Sequence, residues 1–349
     1  MNNVLLLTDK LIVGGAEMYF CKLENNLKDE FTNFYSAAAP GELYSELHNK
    51  QNFLPLSLKN HLFNIYKLIK LVMQKDIHVI HANSLRMLLY SILIKKITRK
   101  NTKLIYTKHN VTILEKKLPK LFKELLNQHV NQIIAVSNFE KDNLIHLGVN
   151  SDIIRTIYNG VDLKQFAFKQ LRPNKTFNIG ILARLSKEKN HELFLKIANN
   201  LKNMDNMMFY IAGDGPEREY VENMIHEFNL SDKVKLLGNL SNPYEFIGNM
   251  DLLLLTSLRE VFPMVVLEAM ATGTTIISVD VGGVKEAVVN YETGILIGEH
   301  SEKDFAEMVR LLQGNKELRL NLRKKARKKV EECFSLTSMV QSTLDSYKQ

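Results

Sequence analysis

The chain has 349 residues, 45% hydrophobic and 24% charged, which suits two α/β domains of ordinary size and excludes a disordered chain. No apolar run is long enough to span a bilayer, the N-terminus M-N-N-V-L-L-L-T-D lacks a basic leader, and Cys21 and Cys333 have neither metal nor redox spacing, so a cytoplasmic protein is expected. The net charge of +8 is uneven: residues 1–170 hold 23 Lys+Arg against 14 Asp+Glu (+9), and residues 171–349 hold 23 against 24 (−1), which predicts a polyanionic partner for the first half.

Residues 3–9 read as a buried strand. L-I-V-G-G-A-E-M-Y follows, where Gly14 and Gly15 let the backbone approach a ligand just before a helix starts. The pair does not fit G-x-G-x-x-G, so the dinucleotide fingerprint is absent. Strand candidates come at 35–39, 77–81, 103–107, 132–136 and 153–158, and segments such as 61–74 and 118–130 carry apolar residues at helical spacing. This alternation predicts a parallel, doubly wound sheet. T-K-H-N (107–110) places His109 at the carboxyl edge of a strand, where such sheets bind ligands. Residues 95–123 hold ten Lys/Arg (95, 96, 99, 100, 103, 108, 116, 117, 120, 123) and one acid, Glu115, while Leu118, Leu121, Phe122, Leu125 and Leu126 share a helix face. A solvated helix covering the sheet accounts for the apolar stripe, but the basic density better suits anionic lipid headgroups. Nucleic acid is not expected, because the chain has neither a recognisable module nor aromatic interleaving.

Y-N-G-V-D (158–162) closes the first unit, and 163–176, with Arg172-Pro173-Asn174-Lys175, reads as a linker. F-N-I-G-I-L-A-R (177–184) restarts the alternation. In A-R-L-S-K-E-K-N-H (183–191), Arg184 and Lys189 can converge on a phosphate pair, against the alternative of an exposed basic loop. I-A-G-D-G-P-E (211–217), L-G-N-L-S (237–241) and V-D-V-G-G-V-K-E (279–286) fall at later strand ends. The apolar run 252–255 reads as a strand, Pro263 suits the first residue of a helix, Gly273 stops that helix, and 275–279 is the next strand. The helix start Phe262, Pro263, Met264 and Val265 offers free amides and a dipole that favours an anion. Glu260 in the loop and Glu268 in the helix bracket that position. The tail, 302–349, is helical and mixed in charge.

The stretch E-V-F-P-M-V-V-L-E-A-M-A (260–271) resembles the E-x-F-P-x-x-x-x-E-A-M-A signature of the retaining family 4 glycosyltransferases. G-G-A-E (14–17), T-K-H (107–109), N-G-V-D (159–162) and the 184–190 loop are similar to further elements of that family. The resemblance covers essentially the whole chain and is strongest over 177–297. Val261, Ala183 and Asn190 stand where the family carries glycine. The resemblance implies a GT-B fold: two Rossmann-like doubly wound domains with an interdomain active-site cleft. Domain 1–165 would lie on the acceptor side, with the last helix (335–349) packing back on it, and domain 176–334 would bind the nucleotide sugar.

The implied reaction is retaining transfer of a hexosyl or N-acetylhexosaminyl group from a nucleotide diphosphate sugar. UDP-GlcNAc and UDP-glucose are the commoner kind of donor, and a lipid-linked or surface polysaccharide intermediate is the expected acceptor. By the same resemblance Arg184, Lys189, the 262–265 amides and the Gly14–Gly15 loop neutralise the diphosphate as its bond breaks. Glu268 holds the ribose hydroxyls, Glu260 a sugar hydroxyl, and His109 another beside the anomeric carbon. The nucleotide sugar is a co-substrate, no cofactor is expected, and the lack of D-x-D predicts no metal. A cytoplasmic enzyme, peripheral on the inner face of the membrane through 95–123, is expected. A nucleotide-sugar epimerase of the same fold and a non-catalytic partner subunit are the alternatives, and a dehydrogenase is disfavoured by the missing fingerprint.

Overall fold

The computed structural model describes residues 2–30, 32–170 and 176–348, so Arg172-Pro173-Asn174-Lys175 of the expected linker lie outside the described residues. The chain divides into two α/β units, Met1–Asn159 with Thr337–Gln349, and Gly160–Leu336.

In the first unit the order is β1 (Asn2–Lys10), α1 (Gly15–Asn26), β2 (Thr32–Ala39), β3 (Phe53–Pro55), α2 (His61–Gln74), β4 (Val79–Ala82) and α3 (Leu85–Thr98). It continues with β5 (Lys103–Lys108), α4 (Ile113–Lys117), α5 (Pro119–His129), β6 (Gln132–Ala135), α6 (Asn138–His146) and β7 (Ile154–Thr156). The strands form one parallel sheet in the order β3-β2-β1-β4-β5-β6-β7. Val4 through Leu7 on β1 are all fully buried, as a parallel strand covered on both faces requires. The helices start where short polar side chains can accept a backbone N–H: Ser84 from Met87, Ser137 from Glu140, and Thr112 in a reciprocal capping box with Glu115. α2, α3, α5 and α6 bury their inner sides in one cluster with β1, β4, β5 and β6. They therefore cover the same face of the sheet, in keeping with right-handed crossovers that all run towards β7.

The second unit contains β8 (Phe177–Leu182), α7 (His191–Leu201), β9 (Met207–Ala212), α8 (Arg218–Glu227), β10 (Val234–Gly238), α9 (Pro243–Gly248) and β11 (Leu252–Leu255). α10 (Met264–Thr272), β12 (Thr275–Val279), α11 (Val284–Ala287), β13 (Ile295–Ile297), α12 (Glu302–Gly314) and α13 (Lys316–Cys333) follow. Its parallel sheet runs β10-β9-β8-β11-β12-β13. The last helix, α14 (Leu336–Lys348), is counted with the first unit from Thr337 onward. There Tyr347 packs on Phe34 and His81, and the Ser346 carbonyl accepts a hydrogen bond from Lys103 Nζ at 2.8 Å.

Two sequence readings change. Residues 163–170 do not behave as a linker: Phe166 is buried against Tyr244, and the carbonyls of Phe166 and Lys169 accept hydrogen bonds from Arg327 and Arg323 of α13. Aromatic side chains at 166 and 168 supply apolar surface that packs on the second unit, which a count of turn residues misses. Pro263 is not the first helical residue but the N-cap of α10, with an extended backbone (φ −77°, ψ 124°). Gly273 ends α10 at φ 77°, the left-handed conformation that favours glycine.

Candidate active site

In a doubly wound sheet the ligand crevice lies at the carboxyl ends of the strands where the order reverses. In the first unit that place is between β1 and β4. Gly14 and Gly15 follow β1, and α1 begins on them. Gly14 is extended (φ −176°), and a Cβ on Gly15 would meet no protein atom within 4 Å. The protein's own packing therefore does not demand glycine at 15, and a backbone without a side chain there is open to approach. His109 leaves the end of β5, its ring edge-on to Tyr19 of α1 (centroids 4.6 Å apart) and its Nε2 3.5 Å from Asn83 Oδ1 at the end of β4. Desolvation pushes its pKa down to about 3, so the imidazole is neutral. Beside it His81 is fully buried between Tyr347 Oη (2.7 Å) and Thr107 Oγ1 (2.6 Å), and burial, aided by His109, holds it at about 3 as well.

Lys108 corrects the reading of 95–123 as ten surface cations. It is fully buried on β5, paired with Glu115 at 3.0 Å and with Glu140. Burial raises the pKa of Glu140, with Lys108 opposing the shift. A strand covered on both faces has no solvent edge, so a lysine on it must find carboxylates inside. Lys103 is spent on the Ser346 carbonyl and Lys100 on Asp76. The apolar stripe of α5 also divides: Phe122 and Leu126 are core, Leu125 is partly buried, and Leu118 and Leu121 are exposed.

In the second unit the order reverses between β8 and β11, and the loops leaving these two strands are tied together. Leu258 N donates to the Glu188 carbonyl at 2.8 Å, and Thr256 Oγ1 donates to that of Lys189 at 3.0 Å. This brings Lys189 Nζ to Glu260 Oε1 at 2.7 Å. Ser257 Oγ donates to the same oxygen at 2.7 Å, and Glu260 is only 8% exposed. Glu260 Oε2 has no hydrogen bond among the described residues, so one carboxylate oxygen anchors the lysine and the other remains an acceptor. Asn190 takes φ 52° and caps α7, so the left-handed turn expected of glycine is made by asparagine, a residue that tolerates it. Arg184 is exposed, with no side-chain partner among the described residues; it is not joined to Lys189, whose contact is Glu260. On the neighbouring turn Gly213 (φ 131°) lies so close that a Cβ would sit 2.0 Å from the Ala183 carbonyl oxygen.

At the start of α10 the Met264 and Val265 amides have no acceptor among the described residues, as the first turn of a helix requires. Within 262–265 the donors exclude Pro263, which has no N–H; the sequence expectation counted it. Phe262 is buried against Phe334, and Glu268 is partly exposed on α10. Sequence reading missed Asn83, His81, Ser257 and His300, whose Nε2 lies 3.1 Å from the Ser257 carbonyl. H-A-N-S running off the end of a strand could have pointed to Asn83; nothing in the local sequence points to His300.

Residues 13–165 match the family model described as Glycosyltransferase Family 4, and residues 163–329 match Glycosyl transferases group 1. The chain belongs to this glycosyltransferase family. It is 33% identical over 180 residues to a Campylobacter jejuni N,N'-diacetylbacillosaminyl-diphospho-undecaprenol alpha-1,3-N-acetylgalactosaminyltransferase, a match spanning 52% of this chain and 47% of that enzyme, about half its length. It is 24% identical over 287 residues to the Bacillus anthracis N-acetyl-alpha-D-glucosaminyl L-malate synthase, covering 78% of this chain and 75% of the relative. The Anabaena protein HepE, solved in complex with UDP-glucose, superposes with a TM-score of 0.86 at 20% identity over 99% of both chains. At that identity the likeness carries the fold, which is GT-B.

Proposed function

We propose that this glycosyltransferase moves a sugar from a uridine diphosphate sugar to a lipid-linked saccharide, with retention at the anomeric carbon and without a metal. The observation that carries the reading is the Lys189–Glu260–Ser257 constellation beside the open amides of Met264 and Val265. Cations and amides aimed at one place stabilise the charge that grows on a departing diphosphate. Lys189, held by Glu260, keeps further N–H donors for a phosphate oxygen, and exposed Arg184 supplies a bidentate fork. Glu260 Oε2 accepts from a sugar hydroxyl and Glu268 from the ribose. In the first unit neutral His109 and the Gly14–Gly15 turn stand as candidate ligand contacts of their own sheet edge. The departing phosphate takes the acceptor proton on the face it leaves, which gives retention.

The uridine donor is supported by the UDP-glucose complex of HepE, and the lipid-linked acceptor by the undecaprenol substrate in the Campylobacter relative's name. The Bacillus relative is named for a small acid acceptor, so a soluble acceptor is the outcome to test against. No helix among the described residues is long and apolar enough to cross a membrane. We place the enzyme on the cytoplasmic leaflet as a peripheral protein, with exposed Lys116, Lys117 and Lys120 of the 95–123 segment facing lipid phosphates. The test is to incubate UDP-sugars with undecaprenyl-diphosphate saccharides and with free saccharides, with and without excess chelator, and to read the new linkage by NMR. A retained anomer on the lipid-linked product, formed equally in chelator, is expected. An inverted product, or activity lost to chelator and restored by manganese, would overturn the mechanism.

A further inference from the structure

We propose that His81 is a positioning residue for His109, and that Tyr347 of α14 holds His81 in that role. His109 has little polar contact of its own: its Nε2 lies 3.5 Å from Asn83 Oδ1, long for a hydrogen bond, and its ring meets Tyr19 edge-on. The imidazole is therefore aimed by the end of β5, and its nitrogens stay open to a ligand. That strand end is pinned from both faces, because successive side chains of a strand point opposite ways. On one face Lys108 is buried against Glu115 and Glu140. On the other, Thr107 Oγ1 meets His81 Nε2 at 2.6 Å, and His81 Nδ1 meets Tyr347 Oη at 2.7 Å. His81 stands on β4, the neighbour of β5, and both it and Thr107 are fully buried. A chain of contacts thus runs from the last helix to the residue two places before His109.

Polar groups in this place need a reason beyond filling space. Val4 through Leu7 of β1 occupy the same sheet with hydrocarbon alone, whereas a buried imidazole and its hydroxyl partners must be desolvated and then satisfied. Burial keeps His81 neutral, with one N–H and one lone pair, so one hydroxyl accepts from the ring and the other donates to it. Such contacts are directional and specify a single arrangement, which apolar packing alone does less sharply. α14 is docked by further bonds of this kind. The Ser346 carbonyl accepts from Lys103 Nζ at 2.8 Å, and Ser346 Oγ accepts from Gln132 Nε2 at 3.1 Å. Lys103 and Gln132 open β5 and β6, so the starts of two strands fix the helix while Tyr347 reaches His81 on β4. That His109 serves a transferase rests on the proposed function; its dependence on His81 and Tyr347 does not.

The experiment compares wild type with Tyr347→Phe, His81→Leu and His81→Gln, the last keeping an N–H donor and an acceptor oxygen at the buried position. Each protein is measured for the NMR correlation of the His109 ring Cε1–H, urea stability, UDP binding, and turnover of UDP-glucose and UDP-GlcNAc. Tyr347→Phe removes only a hydroxyl and is the decisive variant should His81→Leu fail to fold. Tyr347→Phe and His81→Leu should move the His109 correlation and lower kcat by about 5- to 10-fold, with KM and UDP affinity within about twofold of wild type. His81→Gln should restore most of both. A His109 correlation unmoved in Tyr347→Phe overturns the proposal. So does a kcat per folded molecule equal to wild type, or a His81→Gln variant no better than His81→Leu, since the buried ring would then serve the fold alone. A wild type that neither binds UDP nor turns over either sugar counts against the transferase reading, and the His109 correlation then decides the positioning by itself.

Discussion

Lys189 and Arg184 were expected to act alike, and the structure separates them. Lys189 holds a carboxylate that is only 8% exposed, whereas Arg184 is exposed with no side-chain partner among the described residues. Arg184→Ala should therefore leave stability within about 0.5 kcal/mol of wild type. Lys189→Ala leaves Glu260 with Ser257 alone and should cost about 1–3 kcal/mol. Both should slow sugar transfer by roughly 100-fold, since each removes a donor from a growing negative charge. Urea melts and turnover on the purified variants check this, and equal melting of the two would show that the Lys189–Glu260 pair contributes nothing to the fold. Spacing in the sequence supplied the identities of Arg184, Lys189 and Glu260 but not the pairing, because Lys189 and Glu260 are joined only when β8 and β11 lie side by side. Lys108 was misread for a related reason. A charge count treats every lysine as solvated, and the signal against it, a lysine inside a strand of a doubly covered sheet, appears only once the strand is given its neighbours.

The elements themselves were largely legible. Helix α2 and strands β11 and β12 fall where apolar spacing puts them, because a parallel strand buried on both faces must be apolar without interruption. β3 was not legible: three residues ending in proline carry no periodicity, and the strand exists because it pairs with Ser36–Ala38 of β2. The end of α10 was predicted from Gly273, and its tightness can be tested. At φ 77° a Cβ would be strained, and it would also sit 2.3 Å from a ring carbon of Phe168. Gly273→Ala should destabilise the second unit by about 1–3 kcal/mol, read as a lower thermal midpoint. An unchanged midpoint would mean that the Phe168 ring moves aside at no cost.

Across the whole molecule, buried histidines link stability to acid. His81 is held at about 3 and His191 at about 4, each chiefly by desolvation, while an unfolded histidine titrates near 6.5. The unfolded chain therefore binds more protons below that value. The stability these groups provide is complete above about pH 6.5 and is lost as pH falls towards 4 and then 3, at up to about 1.4 kcal/mol per pH unit for each histidine. Glu140, with a raised pKa, works in the opposite sense, so the histidine share is read as a difference: His81→Gln and His191→Gln should flatten the fall of urea stability between pH 6.5 and 4.5. A slope as steep as wild type in both would show that these rings are not the acid-sensitive groups. The central claim, a diphosphate site built on Arg184, Lys189 and the start of α10, is tested most directly by calorimetric titration of UDP into wild type and Arg184→Ala. Saturable binding to wild type, weakened by about 10-fold or more in a variant that melts normally, is predicted. No binding to wild type, or equal binding to both proteins, would contradict it.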